Sequence, residues 1–246
     1  MYQLEICCYN PASAAIAQKA GAHRVELCAD PTDGGTTPSF NTIKLVRKRL
    51  DISLYTIIRS RGGDFLFSEE EYEIMLHDVI LCKELGCDGV VIGILEPEGR
   101  VDKSKSARLV EAAYPMGVTF HRAFDWTANP FEALEDIIEI GCERILTSGQ
   151  QPTAIQGSSL IAELVKQSAG RISIMPGSGI RASNIQDVVR ETGVSELHSS
   201  ARLQVKSNMA YLNKDMLEEP TTVMADENEI VSMLHQLKNL DKMQHS

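Results

Sequence analysis

The chain has 246 residues, a net charge of -10 and six cysteines. That acidity excludes the basic stripe a nucleic-acid binder needs to neutralise phosphates, and it disfavours anionic membrane surfaces. The start, Met1-Tyr2-Gln3-Leu4-Glu5, has no basic region and enters a strand pattern at once, so no signal peptide is expected. The longest apolar runs, such as Gly89 to Leu95, are too short to span a bilayer. These features point to a cytoplasmic protein with its cysteines held as thiols.

Eight apolar, β-branched segments alternate with helical patterns along the chain. The predicted strands are Leu4 to Tyr9, Arg24 to Ala29, Leu54 to Arg59, Gly89 to Leu95, Val118 to Phe124, Arg144 to Ser148, Ile172 to Pro176 and Glu196 to Ala201. Helix signals fall between them. Asn10-Pro11 and Asn129-Pro130 each set a capping side chain before a proline at the first helical position. Ser68 to Glu71 reads as a capping box for a helix through Leu85, stopped by Gly86. Ser183 is expected to cap the helix after strand seven, and Asp226 to Glu229 to box the last helix, which runs to about Leu240. Eight βα units in this length predict a single-domain (β/α)8 TIM barrel over 1-246, with an individual segment at 203-225 before the last helix. A doubly wound sheet would carry GxGxxG after its first strand, where this chain has Cys7-Cys8-Tyr9-Asn10-Pro11.

In a barrel, function gathers in the loops that follow the strands. Three short words recur there: Glu5-Ile6-Cys7, Glu26-Leu27-Cys28 and Glu196-Leu197-His198. Strands one, two and eight are neighbours in a closed barrel, and alternation puts each Glu on the face of its Cys or His. Cys7, Cys28 and His198 are therefore candidate metal ligands, soft donors suited to Cu(I) or Zn(II). The alternative for the cysteines is burial as small hydrophobes, the reading given to Cys8, Cys82, Cys87 and Cys142. Glu5 and Glu26, if inward, need partners, and Arg59 or Arg122 could supply an ion pair.

A second constellation suggests an anion. Arg59 and Arg61, within Arg59-Ser60-Arg61-Gly62-Gly63, offer guanidinium donors beside glycines, though either could pair with Glu26 or Asp64 instead. Gly177, Ser178 and Gly179 stand where barrels hold phosphate on backbone N–H groups, and Arg202 follows strand eight. Glu26, His121 and Asp125 are the candidates for moving a proton on a small anionic or phosphorylated metabolite. No lysine falls on a predicted barrel strand, which sets aside Schiff-base aldolase chemistry. Apolar residues on the helices suggest a homo-oligomer.

Taken together, Arg24-Val25-Glu26-Leu27-Cys28, Gly34 to Ser39, Arg59 to Phe65, Val118 to Asp125, Leu146 to Gly149 and His198 to Ala201 resemble the CutC copper-homeostasis family. The resemblance runs in order from residue 5 to 201. It implies a TIM barrel, a cytoplasmic location and copper tolerance or trafficking through Cu(I), with Cys7 and Cys28 at the positions put forward as copper ligands. Cys8 is an extra neighbouring thiol, and Ser199 stands where some relatives have cysteine.

Overall fold

A computed structural model describes residues 2–213, 215–216 and 220–244. Its strands β1 (Gln3–Cys8), β2 (Arg24–Leu27), β3 (Ser53–Ile57), β4 (Gly89–Ile92), β5 (Gly117–Phe120), β6 (Arg144–Thr147), β7 (Ser173–Pro176) and β8 (Glu196–Ser199) form one parallel sheet. The ladders run β7-β6-β5-β4-β3-β2-β1-β8, and β7 packs beside β8, so the ring is nearly closed. Helices α1 (Pro11–Ala20), α2 (Phe40–Arg49), α3 (Glu69–Glu84), α4 (Lys103–Ala113), α5 (Pro130–Glu139), α6 (Ser158–Ser168), α7 (Ile185–Thr192) and α8 (Glu227–Gln244) surround it. This is the expected TIM barrel. Among the described residues no helix is long and apolar enough to cross a membrane.

The local signals act largely as the sequence suggests. The Asn10 side chain accepts from Ser13 N–H, Asn129 accepts from Phe131 and Glu132, and Ser68 with Glu71 closes a reciprocal capping box. Two caps differ. Asn184, not Ser183, precedes α7, and its Oδ1 accepts from Arg181 N–H outside the helix. Glu229 does not close a box with Asp226, because its carboxylate accepts from Ala182 N–H and ties α8 to the loop after β7.

Strand five is shorter than the apolar run suggests. His121 turns the chain, its Nδ1 accepting from Ala123 N–H, and Arg122–Trp126 wind into a 3-10 turn. The segment 203–225 holds an antiparallel pair, β9 (Arg202–Lys206) and β10 (Thr221–Ala225), that the sequence reading does not anticipate. Its side chains are mostly exposed, so it lacks the alternation that marks a half-buried strand.

Two layers of packing divide the molecule. Outward-facing strand residues such as Leu4, Ile6, Cys8, Val25 and Leu27 join the helices in the main core. Inward-facing residues form a much smaller apolar group of Cys7, Cys28, Tyr55, Ile57 and Val91. The interior also holds Leu146 and Met175, and much of the remainder is charged.

A charged barrel interior and a candidate metal site

Strand alternation turns Glu5 and Cys7 on β1, Arg24 and Glu26 on β2, Tyr55 on β3, Arg144 on β6, and Glu196 and His198 on β8 into the barrel. Charges inside a protein must find partners, and these do. Arg24 Nε donates to Glu5, and its Nη2 donates to Glu196 Oε2 at 2.8 Å. Arg144 Nε reaches the same Glu196 oxygen at 2.7 Å, and its Nη1 reaches Glu143 at 2.9 Å and Thr119 Oγ1 at 3.1 Å. Both guanidinium groups lie against Tyr55, 5.2 and 5.6 Å from the ring centroid, and the Tyr55 hydroxyl donates to Glu143. Glycine at 89 and 117 makes room, since a Cβ at either would overlap the tyrosine. Together these groups plug the lower barrel.

The ion-pair alternative for Glu5 therefore holds with different partners: Arg24 in place of Arg59 or Arg122. The signal was legible, because Arg24 stands two residues before Glu26 and must share its face. Arg144 opens β6 with the same orientation.

Above the plug sits the candidate site. Glu5 Oε1 lies 2.7 Å from His198 Nδ1, which leaves Nε2 facing up, 3.8 Å from Glu26 Oε2. Donor atoms of Cys7, Glu26 and His198 all lie within 4.8 Å of one another, and all three residues are buried. The Cys7 and Cys28 sulfurs are 3.5 Å apart, on one face of the sheet, but Cys28 does not share the 4.8 Å cluster. The reason is stagger. The ladder sets Cys7 level with Glu26 on β2, and on β8 it sets Glu5 level with His198, so the three words are displaced rather than aligned. Glu26, named from sequence as a proton carrier, takes the place beside Cys7 that simple alignment gave to Cys28.

The electrostatics of this group are mutually dependent. The Cys28 thiol and His198 hydrogen-bonded to it hold Cys7 well below the usual thiol range, against the opposing effect of burial. Burial alone would deprotonate His198, yet Cys7 and Glu5 keep its proton on far above the ordinary imidazole value. Glu26 is pushed well up by burial and by Cys7, and Cys28 by burial and by its bond to Cys7. Burial also pushes Glu5 up, but Arg24 and His198 outweigh it and hold the carboxyl at about 2. These shifts favour the charged forms of Cys7 and His198 and the neutral forms of Glu26 and Cys28.

A cavity of about 550 Å³ opens over this group at the C-terminal rim, lined in part by Cys7, Glu26, His198, Arg59, His121 and Arg202. Ser178 and Gly179 reach it. Gly177 does not line it: its N–H donates to the Thr147 carbonyl, and a Cβ there would stand 3.2 Å from His198 Cδ2. The Ser178 hydroxyl donates to the Pro152 carbonyl. Arg61 faces away, paired with Glu71 at 2.6 Å and Asp64 at 2.9 Å. Asp125 is also outside the lining, its oxygens held by Arg122 Nε at 2.7 Å and by the Ser148 and Gln150 backbone N–H groups. Cys8 points to the outer core, and Cys82, Cys87 and Cys142 are buried behind the strands. The Ser199 hydroxyl donates to the Ile180 carbonyl at 2.7 Å.

Comparison with known proteins agrees with this architecture. Phosphoribosylanthranilate isomerase from Thermotoga maritima superposes with a TM-score of 0.61 at 13% identity, over 97% of this chain and all of that one, a likeness of fold alone. A CutC protein from Streptococcus agalactiae, provisionally assigned to copper homeostasis, superposes with a TM-score of 0.78 at 34% identity, over 81% of this chain and 99% of that one. CutC family proteins of Parabacteroides distasonis and Salmonella newport are 52% and 47% identical over 216 and 227 residues, spanning 87% and 92% of this chain and 88% and 90% of theirs. The family model for the CutC family matches residues 2–203, nearly the whole barrel, and the chain belongs to that family.

Proposed function

We propose that the chain is a copper-homeostasis protein that holds Cu(I) at the barrel mouth, with Cys7 and His198 as ligands and Cys28 as the adjoining thiol. The observation that carries this reading is the convergence of Cys7, Glu26 and His198 donors within 4.8 Å. The donor chemistry fits. Thiolate and imidazole are soft to intermediate ligands, suited to a monovalent copper ion more than to a hard cation. Glu5 on Nδ1 orients the imidazole and leaves Nε2 for metal, the carboxylate–histidine arrangement that supports many metal sites. The site also stores a proton between Cys7 and His198, and a monovalent ion exchanging for it leaves the buried charge unchanged. The role in copper homeostasis comes from the likeness to the S. agalactiae protein. A reducing, cytoplasmic setting keeps the two thiols available.

Titration of the reduced protein with Cu(I) against a competing chelator tests this. One equivalent should bind, and Cys7→Ser should weaken it by at least 100-fold, about 3 kcal/mol by the affinity relation. Unchanged affinity in the Cys7→Ser, Cys28→Ser double variant would overturn the reading.

A further inference from the structure

The cavity lining includes two residues, Arg59 and His121, that each carry a donor with no acceptor. Arg59 is 4 % exposed, and its terminal nitrogens donate to three backbone carbonyls: Nη1 to Asp33 at 2.6 Å and Gly35 at 3.0 Å, Nη2 to Gly63 at 2.6 Å. Its Nε, buried, has no partner, and among the described residues Arg59 forms no ion pair. The guanidinium's hydrogen bonds all go to neutral carbonyls, and Asp33, Asp30 and Asp64 act on it as neighbouring charges without an ion pair, so Nε is left for an acceptor. His121 is likewise 4 % exposed, and because its Nδ1 accepts from Ala123 N–H, the neutral ring carries its proton on Nε2. That Nε2 is the second buried, unpartnered donor. Phe65 joins the two, with the Arg59 guanidinium 4.8 Å and the His121 ring centroid 5.1 Å from its ring centroid. Both residues line the cavity.

The surroundings favour an anion. Arg59, Arg122, Arg181 and Arg202 line the cavity against only Glu26 and Asp33 as acids, in a protein whose net charge is -10. A basic hollow in an acidic surface concentrates small anions. The volume of about 550 Å³ suits a small metabolite. The two unpartnered donors, one on a guanidinium and one a neutral N–H, match the two oxygens of a planar carboxylate.

We propose that this cavity binds a small organic carboxylate whose two oxygens accept from Arg59 Nε and His121 Nε2, with the body of the molecule lying in the rest of the cavity. This goes beyond metal binding and does not depend on it. It gives a role to His121 and Arg59, which copper ligation leaves unused.

The test uses metal-free, full-length protein with ¹⁵N-labelled histidine, titrated separately with lactate, succinate and inorganic phosphate. At least one carboxylate should bind and shift the His121 Nε2 resonance. His121→Asn retains an acceptor for Ala123 N–H but removes the Nε2 donor, and should weaken that carboxylate at least tenfold. Arg59→Lys should do the same, and if it fails to fold, the wild-type resonance and His121→Asn still decide. No response to either carboxylate, binding unaffected by His121→Asn, or a response to phosphate alone would overturn the assignment.

Discussion

Replacing Arg24 by methionine tests whether the charged plug governs the stability of the barrel. Arg24 is 5 % exposed and stands between Glu5, 1 % exposed, and Glu196. Holding Glu5 at about 2 instead of 4.5 corresponds to roughly 3 kcal/mol of preference for its charged form. Removing one partner of a buried pair leaves an uncompensated charge, which costs about 3–5 kcal/mol. For a chain of this size that lowers the melting temperature by roughly 6–20 °C. The pH dependence gives a second check. In the native protein Glu5 has a depressed pKa, so its contribution is present above pH 4.5 and is lost as pH falls toward 2. Without Arg24 only His198 opposes burial, the carboxyl takes up its proton more readily, and the variant should recover part of its deficit as pH falls from 7 toward 5. The Arg24→Met, Glu5→Gln double variant should be more stable than Arg24→Met alone, since the carboxylate no longer has to be buried without its guanidinium partner. Urea unfolding measures all three proteins. A loss below about 1 kcal/mol, or a double variant no better than the single one, would refute the reasoning.

His121 should impose a separate pH dependence. Burial, reinforced by Arg59, lowers its pKa to about 3, so only the unfolded chain takes up the proton below pH 6.5, and native stability should fall between pH 6.5 and 3. By pH 5 the loss is about 2 kcal/mol, and urea unfolding of His121→Asn should lack it. Gly117→Ala places a Cβ against the Tyr55 hydroxyl and should cost about 1–3 kcal/mol by thermal denaturation, with the Tyr55→Phe background relieving part of it. Asn10→Ala removes both the cap on Ser13 N–H and the 2.8 Å bond to the Val223 carbonyl. It should cost about 1–2 kcal/mol in the same assay, more than an isolated cap.

The barrel was legible because its evidence is local: eight β-branched runs alternate with helical patterns, two of which open on an Asn-Pro cap, and each signal reports on its own segment. Inward placement of Cys7, Cys28 and His198 followed from alternation within single strands. The meeting of Cys7 with Glu26 did not, because the offset between adjacent strands is set by closure of the whole ring and leaves no mark in either strand. The same limit hid the oxygen of Glu196 that Arg24 and Arg144 share, a long-range contact between strands whose inward faces were each visible alone. Loop residues were hardest to place. Arg59 and Arg61 look equivalent in sequence, yet two residues of irregular chain turn one to the cavity and the other to Glu71.

The plug of Glu5, Arg24, Glu196, Arg144 and Tyr55 gives the barrel a blind end. Among the described residues, that plug leaves the C-terminal rim as the side from which a ligand would reach the well above it. If the well holds a metal ion, its release would be an exchange conducted at the rim.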